Sequence, residues 1–123
     1  MQNWNNIRPV VERVLEQQRV TNNENYRGEP CFLTAYQIAV LVDRQDSTLK
    51  GDLPIGGQGE GVEKNDSLSK QIAWHLSKAV NDGVFDGRLE RRFLSLKGID
   101  SFVFNEVNTP SASEISMFRL RSA

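Results

Sequence analysis

The chain has 123 residues, 38% of them hydrophobic and 25% charged, with a formal net charge of -1. That suits one domain around one core and leaves too little chain to expect two. It argues against an indiscriminate polyanion binder, and the longest apolar run, Ile38 to Val42, falls far short of a bilayer. The first residues lack a basic stretch followed by an apolar one, so no secretory signal is expected. A single cysteine, Cys31, forbids an internal disulfide, and the expected setting is a reducing cytoplasm without membrane attachment. Asn65-Asp66-Ser67 fits a glycosylation sequon, read as chance in that setting.

Residues 6–18 predict a helix, with Val10, Val11, Val14 and Leu15 as its apolar stripe and Pro9 placed in the first turn. Residues 21–30 read as a loop. Thr34-Ala35-Tyr36-Gln37 fits a capping box, and Leu33 with Ile38 fits a hydrophobic staple, so a second, well-buried helix should run to residue 44 or 45. Residues 46–66 then hold five of the nine glycines and no period. They predict a mobile, acidic, Gly-rich insertion, with Leu53 and Ile55 anchoring its middle. In residues 67–83, Leu68, Ile72, Leu76 and Ala79 form one stripe, while Lys70, Trp74, Ser77, Lys78 and Asn81 fall opposite. Asp66 or Ser67 suits the N-cap and Gly83 the left-handed C-terminal position. Residues 88–96 and 99–105 predict a hairpin around Lys97-Gly98, and the segment around Ile115 to Leu120 a final strand or short helix.

Charge is uneven along the chain. Residues 45–66 carry two lysines against five carboxylates, and residues 67–97 carry six Lys or Arg against three carboxylates. The third helix and the hairpin are therefore the only basic segment.

Three helices followed by a two-stranded hairpin resemble the winged helix-turn-helix class over residues 7–105, a mainly α domain with a small β-hairpin. The resemblance rests on element order. It implies that the third helix enters the major groove and that the hairpin acts as a wing on backbone phosphates. By position, Ser69, Lys70, Ala73, Trp74, Ser77 and Lys78 would face the groove, and Arg88, Arg91, Arg92 and Lys97 would lie in the wing. One departure stands out: about twenty residues separate the second and third helices, where a helix-turn-helix has three or four.

Other chemistries find less support. Gly56-Gly57-Gln58-Gly59-Glu60-Gly61 matches neither G-x-G-x-x-G, since Val62 takes the last position, nor a P-loop, since no Gly-Lys-Ser/Thr follows. His75 and Cys31 supply two possible ligands where structural zinc takes four, and their pairing as nucleophile and base has no recognisable setting. No carboxylate pair suggests acid–base work. The expectation is a DNA-binding regulator of transcription, without catalysis, metal or cofactor, able to form a homodimer. A protein–protein adaptor on the same scaffold, using Trp74 and residues 46–66, stands beside it. A small-molecule domain closed by the Gly-rich loop is a third alternative.

Overall fold

The computed structural model describes residues 4–18, 30–56, 67–99, 103–104, 107–108 and 114–121. Helix α1 spans Trp4–Glu16, and Ile7, Val10, Val11, Val14 and Leu15 make its buried stripe. It begins two residues before the predicted start, so Pro9 falls in the second turn and removes one amide from the helical ladder there.

The two-residue strand β1, Leu33–Thr34, leads straight into helix α2, Ala35–Gln45. Thr34 serves both elements. Its Oγ1 accepts the Gln37 amide at 3.1 Å, and the Gln37 side chain accepts the Thr34 amide at 2.8 Å. This reciprocal box satisfies two donors that a helix start otherwise leaves unpaired. Leu33 and Ile38, the predicted staple pair, both lie in the core. Thr34→Ala is expected to lower unfolding stability by about 1 kcal/mol, the usual value of a side-chain cap, read from a denaturant midpoint at unchanged m-value.

After α2 the chain turns on itself. Asp46 accepts the Thr48 amide at 3.0 Å and the Thr48 hydroxyl at 2.5 Å, bonds that hold its carboxyl below the usual range. Leu49 and Ile55, both half-buried, pack against the core, and Leu53 between them is half-buried as well. The carbonyls of Pro54 and Ile55 then accept the amides of Leu68 and Ser69, both at 2.9 Å. The insertion thus returns to the start of helix α3, Leu68–Asp82, where Ser67 caps the Lys70 amide at 3.1 Å. Residues 57–66, the centre of the glycine-rich stretch, lie outside the described residues.

Gly83 ends α3 at φ +71°, as its position predicted. A short 3-10 turn, Phe85–Gly87, follows, with Phe85 and Asp86 also in the left-handed region at φ +61° and +59°. This backbone is unfavourable for a bulky residue. Phe85 occupies it with its ring buried in the core and the Arg8 guanidinium 5.0 Å above.

Strand β2 spans Leu89–Ser95, β3 Val103–Phe104, β4 Val107–Asn108 and β5 Glu114–Leu120. The main sheet is three-stranded and antiparallel in the order β1-β5-β2, so this is an α+β architecture of three helices on a small sheet. The strand partner differs from the one predicted. A turn does form at Lys97-Gly98, with Gly98 at φ +80°, but β2 pairs with β5, from Leu89 with Leu120 to Ser95 with Glu114. β3 pairs with β4 in a separate two-stranded ribbon and runs against α2. The core accordingly extends past residue 105: Phe118 and Leu120 belong to it, together with the stripes of all three helices.

Candidate nucleic-acid interface

Helix α3 divides its surface by periodicity. Leu68, Ile72, Leu76 and Ala79 are buried, while Lys70, Trp74, Lys78 and Asn81 are exposed and Ser77 and Ala73 half-buried at the border. Ser69 was placed on the outer face, and here the structure corrects the reading. It is only 4% exposed, and its hydroxyl lies 3.1 Å from that of Ser67. Positions 69, 72 and 76 follow helical steps of three and four, so Ser69 extends the apolar stripe and cannot reach a groove. The first amides of α3 are also taken by Pro54, Ile55 and Ser67, which leaves them no part in holding a phosphate.

The outer face centres on Trp74, 60% exposed, with the Lys78 ammonium 5.3 Å from its ring centroid. His75 meets the Trp74 ring edge-on at 4.8 Å and stacks flat on Trp4 at 4.3 Å and 3°. Trp4 in turn packs against the core. Sequence reading did not find this aromatic ladder, because Trp4 and His75 meet across the fold.

Burial, and secondarily the positive charge of Lys78, push the His75 pKa below its ordinary value. The folded chain therefore binds a proton at this site less readily than the unfolded chain. Its contribution to stability is complete above about pH 6.5 and is lost as pH falls through the folded-state pKa. With one histidine in the chain, a single imidazole resonance should titrate below about 6.5 by NMR, and Lys78→Gln should move the midpoint upward. A midpoint above that value would contradict the account.

The basic residues after α3 do not form one patch. Arg88 was assigned to the wing, but it belongs to the scaffold: its guanidinium pairs with Glu16 of α1 at 2.7 Å, and its Nε donates to the Arg121 carbonyl at 2.8 Å. Arg91 extends over the Phe93 ring, 5.2 Å from the centroid, on the strand face that begins with Leu89 in the core. Arg92 lies on the opposite face beside Glu90, which also holds Arg119 at 2.8 Å across the strands. Arg92 donates to the Arg91 carbonyl at 2.8 Å on the edge strand of the sheet. Lys97 is exposed at the turn that follows. Phe93, 52% exposed, and Ile99 were missed as surface residues, although strand alternation pairs Phe93 with Arg91.

Of the ten positions predicted to meet nucleic acid, Lys70, Trp74, Lys78, Arg92 and Lys97 are exposed. Ala73, Ser77 and Arg91 lie at the margins, and Ser69 and Arg88 are structural. Cys31 is exposed. Among the described residues no group of three or more His, Cys, Asp or Glu could hold a metal ion, and no helix is long and apolar enough to cross a membrane. No family model matches the chain, and comparison with curated proteins and with solved structures gives no match.

Proposed function

We propose that this chain is a winged-helix domain that binds double-stranded DNA through the outer face of α3. The observation that carries the reading is that this face holds Lys70, Trp74, Ser77, Lys78 and Asn81, with the helix's one carboxylate, Asp82, at its C-terminal end one turn past Lys78. The strand order supports it as well. A short strand precedes α2, another follows α3, and the return strand β5 lies between them, with a long excursion from β2 to β5 where a wing belongs. β3 runs against α2, and among the described residues of that excursion the turn at residues 96–99, which carries Lys97, is offered for phosphate contact. The test is fluorescence anisotropy of a labelled random-sequence duplex across a salt series. Phosphate contacts make affinity fall steeply with salt, and no binding at low salt would defeat the reading.

A second reading, a protein–protein adaptor, is favoured by three exposed large hydrophobic side chains among the described residues, Trp74, Phe93 and Ile99. Such residues anchor protein interfaces better than they meet a phosphate backbone. In that case Trp74→Ala would abolish capture of a protein partner while salt had little effect.

A further inference from the structure

We infer that Trp74 is a stacking platform for an unpaired nucleobase, with Lys70 and Lys78 taking the adjoining phosphates. The preferred target is then a duplex carrying an extrahelical nucleotide rather than a fully paired one. The inference rests on the reading of α3 as a nucleic-acid face and specifies which nucleic acid that face suits.

A fully paired duplex presents base edges in its grooves and phosphates along its backbone, while the flat faces of the bases are hidden in the stack. Reading an edge calls for paired donors and acceptors. Tryptophan has one N–H donor and no acceptor, so its main resource at the middle of α3 is the face of its ring. The residue is 60% exposed, with only the flexible Lys78 side chain over the ring among the described cations. It is also held in place. The His75 and Trp74 rings meet at a right angle at 4.8 Å, and Trp4, packed on the core, backs His75 at 4.3 Å with those two rings 3° from parallel. A platform fixed in advance loses little conformational freedom when a base settles on it.

The cations are placed to match. Lys70 and Lys78 stand one helical turn before and after Trp74, each about 6 Å along the axis, with no carboxylate on the face between them. The Lys78 ammonium, 5.3 Å from the ring centroid, already shares the site with the indole. A stacked base would replace that contact and leave the ammonium beside the phosphate of the same nucleotide. An aromatic surface flanked by cations is the general device by which proteins hold unstacked bases.

The experiment uses the full chain and anisotropy with two labelled duplexes, one blunt and fully paired, the other identical except for one extrahelical adenine. Wild type is expected to bind the second roughly tenfold more tightly, within the range of a base–aromatic stack. Because the two targets differ by a single phosphate, that ratio should hold nearly constant as salt is raised. Trp74→Ala should erase the preference, so that the two duplexes bind with equal affinity, and Trp74→Phe, which keeps a ring, should retain part of it. Equal affinity of wild type for the two duplexes overturns the stacking inference and leaves duplex binding intact. A Trp74→Ala variant that weakens both targets equally also overturns it, by assigning Trp74 to groove contacts. Failure to bind either duplex at low salt removes the inference and the DNA reading together, and leaves Trp74 as a protein anchor.

Discussion

Replacing Phe118 by alanine is expected to cost about 3–5 kcal/mol, the range for removing a fully enclosed phenylalanine. That is a large part of the roughly 5–15 kcal/mol by which a domain of this size is stable, so much of the population should be unfolded under mild conditions. Phe118 is among the largest side chains with no exposure, and it lies on the strand paired on both sides. Leu33 stands opposite it in β1 and Arg91 in β2. Its ring therefore closes the sheet against the helices from the middle, where neighbours on two strands limit collapse into the cavity. Denaturant unfolding checks the value, and a loss under about 1 kcal/mol would mean that the site relaxes far more than a packed core does.

The second large effect concerns binding. Lys70→Glu combined with Lys78→Glu is expected to weaken duplex affinity by at least about a hundredfold at low salt, since each change removes an attraction and adds a repulsion. If Lys70, Lys78 and Lys97, all exposed, each neutralise one phosphate, the wild-type slope of log K against log salt should be about -2.7, and the double variant's about -0.9. Arg88→Gln supplies the contrast. Arg88 is tied to Glu16 and to the Arg121 carbonyl, so its loss should lower stability by about 1 kcal/mol and leave the salt slope unchanged. If the double variant bound duplex like wild type, α3 would not be the interface.

The helices were legible because their signals are local. The stripe of α1, the Thr34–Gln37 box and the split faces of α3 are each contained within a turn or two of sequence, where spacing alone decides the partner. The sheet was not legible to the same degree. A strand's partner is set by packing across the chain, and here β2 bypasses the segment that follows its turn in favour of residues 114–120. That segment is apolar over too short a run to tell strand from helix by period.

The same distinction governs the site. Lys70, Trp74 and Lys78 could be placed from α3 alone. Ser69 was misplaced because the resemblance assigned it to the groove by position, while its helical spacing put it among Ile72 and Leu76, where Ser67 supplies a partner. Arg88 was grouped with its charged neighbours, but its partner Glu16 lies 72 residues away. No local pattern announces such a pair, nor the stack of Trp4 on His75.

The central place of β5 sets an order on synthesis. Leu33–Thr34 and Leu89–Ser95 leave the ribosome well before Glu114–Leu120, yet neither has another partner in the sheet. Until that last strand emerges, the nascent chain can gather its helices but must carry two unsatisfied strand edges and a core missing Phe118 and Leu120. Folding is thereby deferred until residues 114–120 have been made. Chains interrupted before residue 114 should be captured by chaperones or proteases as incomplete species, whatever the intrinsic strength of their helices.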